Sequence, residues 1–158
     1  MTTFEERLFA KIMFDPADPD GCWVWVGATA SGYGQIRRDG RLIQAHRATY
    51  ELYVGSIPPG MSLDHLCHTR RCVRPDHLRI VTNKQNQEHR AGANKNSRSG
   101  VRGVSWNTRR GRWEVRVGHH GRYHFGGYFD DLDAAAEAAR ALRLKLFTHS
   151  DPDRVPSA

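Results

Sequence analysis

The sequence LDHLCHTRRCVRPDHLRIVTNKQNQEHR, residues 63–90, contains two interleaved sets of polar residues around which the first half of the chain is organised. In the first set, four residues separate Cys67 from Cys72, and His77 follows after four more. The remaining cysteine, Cys22, lies far upstream. Three cysteines and one histidine are a standard tetrahedral ligand set for structural zinc. The spacing predicts a zinc site, and the alternative is three unrelated thiols buried as small apolar side chains.

The second set consists of Asp64, His65 and Asn86. Combined with the zinc pattern, it resembles the His-Me finger nucleases, the ββα-metal or HNH group, and within them the His-Cys box and phage homing endonucleases. The resemblance covers roughly Cys22 to Arg90. It implies that His65 is the general base and that Asn86 is a ligand of the catalytic metal. It also implies a second ligand of that metal, Asp64, which other His-Cys box members lack, and three zinc ligands, Cys67, Cys72 and His77.

Hydrolysis of a phosphodiester explains why these residue types are needed together. The bond is anionic and resists attack, so a nuclease needs a base for water and a cation at the leaving oxygen. Neutral imidazole of His65 can supply the base. The side-chain oxygens of Asn86 and Asp64 suit Mg²⁺ or a similar divalent cation, which takes few protein ligands. We therefore expect zinc as a structural clamp and magnesium as the catalytic cofactor.

The composition favours an acidic partner and excludes a membrane-spanning chain. The 158 residues are 39% apolar and carry a formal net charge of +7, for which nucleic acid is the commonest partner. No apolar run is long enough to span a bilayer. Glu5 and Glu6 stand where a secretory signal would carry basic residues. The odd number of cysteines argues against a disulfide framework. We expect a cytoplasmic protein of a bacterial or phage-infected cell that binds double-stranded DNA, as a monomer or homodimer.

Hydrophobic periodicity and turn signals predict the elements of the first half. Trp23 and Trp25 are interpreted as packing residues of the core and zinc site rather than as base-stacking platforms. The predicted elements are, in order, a helix over 3–14, strands over 22–27, 32–38 and 41–47 with turns at 28–32 and 38–40, a helix over 47–55, a strand over 63–66, a loop over 68–75, a returning strand over 77–81 and a helix that begins near Asn83.

Two arginines of the first half are candidate DNA contacts. Arg47 follows His46 beside a predicted helix, where it either approaches the scissile phosphate or serves as a solvated or capping charge. His89 and Arg90 lie three and four residues after Asn86, so they share its helix face. His89 and Arg90 are predicted to contact the DNA backbone.

The composition changes after the organising stretch. Residues 91–100 are small, polar and basic, as in a linker. Three strands and a long alanine-rich helix, in which Ala134, Ala135, Ala138 and Ala139 allow close packing, are predicted beyond it. The predicted fold class is therefore α+β: a zinc-stapled ββα-metal nuclease domain over 1–90, the linker, a small three-stranded antiparallel sheet packed on one helix over 101–148, and a tail over 149–158.

Positive charge is concentrated in the predicted sheet. Between Lys95 and Arg122 there are eight Lys or Arg and one acid, Glu114, so the net charge is 8 − 1 = +7. Strand alternation places Trp113, Val115 and Val117 on one face and Glu114 and Arg116 on the other. The second face is predicted to meet DNA through arginines, namely Arg102, Arg109, Arg110, Arg112, Arg116 and Arg122.

The second half also resembles the DNA-binding domain of plant ethylene-response factors. The matching segments are residues 101–104, 111–113 and 127–130, together with the alanine-rich helix. In that family the exposed sheet face enters the major groove, so the resemblance implies that the strands read DNA here. Ser105 and Asn107 depart from the arginines usual in the plant proteins.

These observations favour a metal-dependent DNA endonuclease of the homing type whose second domain selects the target. The alternative is a non-catalytic zinc-containing transcription regulator, which has no need for Asp64, His65 and Asn86 at this spacing. An RNA-binding protein is disfavoured because no aromatic stacking signature is evident on the exposed strand positions.

Overall fold

A computed structural model describes residues 2–90 and 92–154. The chain divides into two compact units, Met1–Asn83 and Lys84–Ala158. Both contain helices and small antiparallel sheets, which confirms the predicted α+β class. No helix in the described part of the chain is long and apolar enough to cross a membrane.

The first unit is built from short elements joined by tight turns. Its sheets pair β1 with β2, β3 with β4 and β5, and β6 with β7. The elements are α1 (Phe4–Phe9), β1 (Ile12–Met13), β2 (Val24–Trp25), β3 (Thr29–Ala30), β4 (Tyr33–Arg38), β5 (Arg41–Gln44), α2 (Ala45–Tyr53), β6 (Ser62–His65), a 3₁₀ turn (Pro75–His77) and β7 (Leu78–Val81).

Several predicted elements of this unit were wrong in extent. The helix predicted over 3–14 ends at Phe9, because Ile12–Met13 pairs with β2 instead of continuing the helix. The predicted turn at 28–32 contains β3, which pairs with β4. The strand predicted over 41–47 ends at Gln44, and α2 begins two residues earlier than expected.

The core of the first unit forms around Trp25. This side chain is fully buried with Leu8, Ile36 and Val73, and its indole N–H donates to the carbonyl of Ala28 at 2.9 Å. The prediction that Trp25 is a packing residue is therefore confirmed. Gly34 packs directly against the indole ring of Trp25. A Cβ at this position would lie only 2.6 Å from the ring, so a larger residue would clash.

The second unit contains a three-stranded antiparallel sheet with a long helix on one face. The strand order is β10-β9-β8, and a bulge interrupts the β9–β10 register between Phe125 and Gly127. Its elements are α3 (Asn83–Glu88), β8 (Val104–Asn107), β9 (Arg112–His119), β10 (Arg122–Phe129), α4 (Leu132–Leu146) and α5 (Asp151–Arg154). The first residue of α3, Asn83, belongs to the first unit.

The packing of α4 on the sheet agrees with the predicted alternation. Ala135 and Ala139 are fully buried against Val104 and Val115, while Ala134, which was expected at this interface, is exposed. The side chain of Asp131 caps the helix by accepting from the amide of residue 134 at 2.8 Å. Small residues on one face of α4 thus let the helix lie close to the sheet.

Buried charges hold the ends of the second unit in place. Arg143, on α4, donates to both carboxylate oxygens of Asp153 at 2.8 and 2.5 Å and to the carbonyl of Arg102 at 2.5 Å. Glu88 accepts from the amide and hydroxyl of Thr148 at 3.0 and 3.1 Å. The predicted tail thus includes a helix, α5, and residues 155–158 lie outside the described part.

Candidate metal centre and active site

Backbone pairing brings the four predicted zinc ligands together. The loop between β6 and β7 runs antiparallel to β2, because the amide of Trp25 donates to the carbonyl of Arg71 and the amide of Val73 to that of Trp23, both at 2.8 Å. This pairing places Cys72 beside the segment that follows Cys22. At the other side of the loop, the amide of Leu66 donates to the carbonyl of His77 at 2.9 Å, which brings Cys67 and His77 together.

The ligand atoms have the spacing that a tetrahedral zinc site requires. One ligand atom from each of Cys22, Cys67, Cys72 and His77 lies within 4.8 Å of all the others. The Nδ1 of His77 is 3.6 Å from the Sγ of Cys22 and from that of Cys72. Zn–S and Zn–N bonds of ordinary length at the tetrahedral angle put sulfur and nitrogen about 3.6 Å apart. The residues therefore fit zinc.

Burial makes two thiols of this cluster, those of Cys67 and Cys72, hard to ionise. Burial raises the pKa of the Cys72 thiol to about 12, and burial likewise raises the pKa of Cys67. Thiols with such pKa values become thiolates near neutral pH only when a cation binds them. The cluster is thus suited to a metal and poorly suited to nucleophilic chemistry, which needs a thiolate.

The predicted general base, His65, lies at the end of β6. It is held by the loop between β6 and β7, residues 66–77, called here the zinc loop. The Nε2 of His65 is 3.0 Å from the carbonyl oxygen of Cys72. A carbonyl only accepts, so Nε2 carries the hydrogen, and Nδ1 is the basic nitrogen of the neutral ring. The backbone of Cys72, one of the four candidate zinc ligands, thereby fixes the tautomer and orientation of the imidazole.

A second histidine packs on the predicted base. The ring of His46, on α2, lies 4.9 Å from that of His65, and the ring of Tyr33 is 5.5 and 5.8 Å from these two. Burial, followed by the charges of His65 and Arg47, lowers the pKa of His46 to about 3. Burial also lowers the pKa of His65, although the Cys72 carbonyl and Asp64 oppose this. Both rings are therefore neutral near pH 7.

The predicted metal ligand Asp64 is buried and ion-paired. Register places it opposite Arg79 across the β6–β7 ladder. The Nε and Nη2 of Arg79 both lie 3.0 Å from Oδ2 of Asp64. A metal bound by this carboxylate would therefore share it with a guanidinium or displace that group.

Asn86 lies in α3, whose residues from Lys84 onward belong to the second unit. Because His65 belongs to the first unit, a joint site of these two residues remains a prediction. Arg47 is half-buried on α2. Arg90 follows α3 and donates to the side chain of Asn94 at 2.6 Å. His89, which was also predicted to contact the DNA backbone, is instead buried, with its Nε2 3.5 Å from Oδ2 of Asp151.

The predicted DNA-contacting arginines of the second unit have unequal surroundings. Arg112 forms a bidentate pair with Asp130 at 2.7 Å, and Arg116 pairs with the buried carboxylate of Glu114. Arg109 and Arg122 are exposed, and the guanidinium of Arg110 lies 4.6 Å above the ring of Tyr128.

Arg102 makes contacts that differ from those of a base-reading residue. Its guanidinium donates to the carbonyls of Gln87, Glu88 and Arg90 at 2.8–3.0 Å. It also lies 5.1 Å from the ring centroid of Phe147. These acceptors end α3, whose last carbonyls need partners. Three of the five N–H groups of Arg102 are thus used within the protein.

The sequence interpretation missed the aromatic character of the exposed sheet face. Tyr123 is 80% exposed and Phe125 is 56% exposed. Both lie on β10, whose strand was predicted, but the expectation that no aromatic residues mark the exposed strand positions was wrong. Alternation along β10 could have revealed Tyr123, whereas the bulge after Phe125 is not evident from the sequence.

Other side chains near the predicted base carried weaker sequence signals. Arg79 could have been paired with Asp64 from the β6–β7 hairpin register. Thr49 donates to the carbonyl of Val73 at 2.6 Å and so joins α2 to the zinc loop. Such a contact between distant segments has no sequence signature, and the same holds for the packing of His46 on His65.

Comparison with known proteins shows that most of the candidate site lies in a segment similar to a known family. Residues 44–88 match the sequence model of the HNH endonuclease family. Two proteins of Escherichia phage T7 are also similar to the chain. Protein 7.7 is 37% identical over 70 residues, which cover 44% of this chain and 54% of that protein. Protein 2.8 is 38% identical over 69 residues, which cover 42% and 46%. The chain spans about half the length of these curated relatives, and no solved structure matches it significantly.

Proposed function

We propose that this protein is a metal-dependent DNA endonuclease that hydrolyses phosphodiester bonds. The observation that carries the proposal is the orientation of His65 by the Cys72 carbonyl, within a segment that matches the HNH endonuclease family. A purely structural zinc module has no need for a neutral imidazole held at the edge of its ligand cluster.

In the proposed reaction, Nδ1 of His65 accepts a proton from the attacking water. Its Nε2–H remains bonded to the Cys72 carbonyl, which stabilises the imidazolium that forms. Asp64 and Asn86 would hold a divalent cation such as Mg²⁺, which supplies charge stabilisation at the leaving 3′ oxygen. Their carboxylate and carboxamide oxygens are the donors that Mg²⁺ prefers. The expected products carry 5′ phosphates and 3′ hydroxyls.

Zinc has a structural role in this proposal. Cys22, Cys67, Cys72 and His77 would hold the zinc ion as its four ligands. Because the carbonyl of Cys72 orients His65, loss of the metal should disturb the base as well as the fold.

The second unit supplies most of the DNA affinity in this proposal. The first unit, residues 1–83, contains 10 Lys or Arg and 9 Asp or Glu, a net of 10 − 9 = +1, against 14 − 8 = +6 for residues 84–158. Exposed Arg109 and Arg122 are suited to phosphate contacts. The resemblance of this region to ethylene-response-factor domains stays a prediction. A homodimer is required if both strands of a duplex are cut by one such site each.

Plasmid cleavage tests the proposal directly. Purified zinc-loaded protein is incubated with supercoiled plasmid with and without Mg²⁺, and relaxed and linear forms are separated on a gel. We expect Mg²⁺-dependent cleavage that His65→Ala reduces by about two to four orders of magnitude. His68→Asn, in the same loop but exposed, is the matched control and should cut normally.

Two outcomes would contradict the assignment. Cleavage by His65→Ala at the wild-type rate would exclude this base. DNA binding by the wild-type protein without any cleavage would favour the non-catalytic regulator. Zinc content and circular dichroism of each variant must match the wild type for either comparison to count.

A further inference from the structure

The sheet face opposite α4 carries a row of aromatic rings. On β9, Val115 packs against α4 and Val117 is buried on the same face, whereas Arg116 between them is exposed. Register places Phe125 opposite Arg116 and Tyr128 opposite Glu114, so these rings lie on the outward side. The rings of Phe125 and Tyr128 are 5.0 Å apart.

Three open concavities meet at Tyr123, the most exposed of these rings. One, of about 470 Å³, lies between Arg110, Arg116 and the three aromatic rings. A second, of about 480 Å³, adjoins it at Arg116 and extends past Ser105 to the segment around Arg90. The third, of about 600 Å³, is lined by Tyr123 and Arg122 and also includes one acidic residue, Glu88. The concavities together form a track with an aromatic ring at its centre.

The charge along this track suits a phosphate backbone. Among the described residues, neither the 470 Å³ nor the 480 Å³ concavity has an acidic residue in its lining. The guanidinium of Arg110 stacks on Tyr128, which leaves its edges available as donors. Arg116 is paired on one side with Glu114, yet its side chain is 57% exposed and lines both concavities.

Aromatic rings at this level of exposure point to a partner that presents flat apolar surfaces. Contiguous exposed apolar side chains rimmed by polar ones commonly mark a binding site. In duplex DNA the faces of the bases are stacked on their neighbours, and a protein reaches only their edges. An unpaired base offers its face, and stacking on aromatic side chains beside a basic groove is how proteins bind single strands.

We propose that the outer face of the β8–β10 sheet binds single-stranded DNA. Tyr123 and Phe125 stack on unpaired bases, and Arg110 and Arg116 contact the adjoining phosphates. The choice of DNA over RNA rests on the proposed endonuclease function. The protein would then prefer substrates with unpaired segments, such as gapped or branched DNA, over a uniform duplex.

The test measures binding without cleavage. Zinc-loaded full-length protein, without added Mg²⁺, is titrated into a fluorescein-labelled 20-nucleotide DNA strand of mixed sequence and into the same strand annealed to its complement. Anisotropy gives the two affinities. A strand with 2-aminopurine at its centre reports stacking, because aromatic contact changes its fluorescence.

We expect tighter binding to the single strand than to the duplex. Tyr123→Ala and Phe125→Ala should each weaken single-strand binding by about 5- to 150-fold, and Tyr123→Trp should preserve it. Salt dependence separates stacking from charge: the alanine variants should keep the wild-type slope, whereas Arg110→Gln should flatten it by about 0.7, the contribution of one phosphate on a single strand. Tyr53→Ala, at an exposed tyrosine of the first unit, is the matched control and should change nothing.

Tighter binding to the duplex, or unchanged single-strand affinity in folded Tyr123→Ala protein, would overturn the proposal. Tighter binding to RNA of the same sequence would overturn the choice of DNA. A plasmid assay that shows no cleavage refutes the nuclease proposal separately, because the binding measurement needs neither catalytic metal nor turnover.

Discussion

Replacement of one zinc ligand should unfold the first unit selectively. His77→Asn removes the imidazole that lies 3.6 Å from two cysteine sulfurs, and it keeps a side chain of similar polarity. His68→Asn is a close control, because His68 lies in the same loop with an exposed side chain. Its φ of 55° is in the left-handed region, which asparagine tolerates well.

The magnitude follows from the share of one ligand in the metal's binding energy. Structural zinc binds small domains with about 10–16 kcal/mol, so one ligand of four accounts for about 2.5–4 kcal/mol. That loss weakens zinc binding by roughly two to three orders of magnitude. For a unit of this size, each 1 kcal/mol lowers the melting temperature by about 4–8 °C. The first unit should therefore melt about 10–30 °C lower.

The assay combines metal analysis with thermal unfolding. Zinc per chain is measured after dialysis, and unfolding is followed by tryptophan fluorescence, in which Trp23 and Trp25 report the first unit and Trp106 and Trp113 the second. We expect His77→Asn to lose zinc and melt early, and His68→Asn to match the wild type. Full zinc content and a normal melting temperature in His77→Asn would refute the four-ligand site, and equal losses in both variants would show a general effect of the loop.

Two further predictions concern contacts that hold each unit together. Thr49→Val removes the donor to the Val73 carbonyl at nearly constant side-chain volume. In urea unfolding it should lower the free energy of unfolding of the first unit by about 1–3 kcal/mol. Thr29→Val, at an exposed threonine, should change that free energy by less than about 0.5 kcal/mol. Arg102→Gln leaves three helix-end carbonyls without their charged donor and should cost the second unit about 1.5–3 kcal/mol, whereas Arg122→Gln should weaken DNA binding with little effect on stability. Equal stability of the Arg102 and Arg122 variants would contradict the structural role of Arg102.

Residue types and spacing left two readings of the cysteines, a zinc site or three unrelated thiols, and the family resemblance favoured zinc. The structure brings one ligand atom from each of Cys22, Cys67, Cys72 and His77 within 4.8 Å of the others, as a zinc site requires. Strand alternation likewise identified Val115 and Val117 as core residues, because the side-chain period of a strand does not depend on its neighbours. The alanine-rich helix was equally evident, although Ala134 proved to lie outside its interface.

Contacts between distant segments were decided by the tertiary structure. The tautomer of His65 depends on a backbone carbonyl, and every residue has one, so no residue type marks the acceptor. The guanidinium of Arg102 donates to carbonyls at the end of α3 because the fold places these carbonyls within its reach. The row of Tyr123, Phe125 and Tyr128 exists because a bulge shifts the side-chain alternation of β10 by one residue. Local sequence sets which groups are available, and only the packed chain sets which partners they meet.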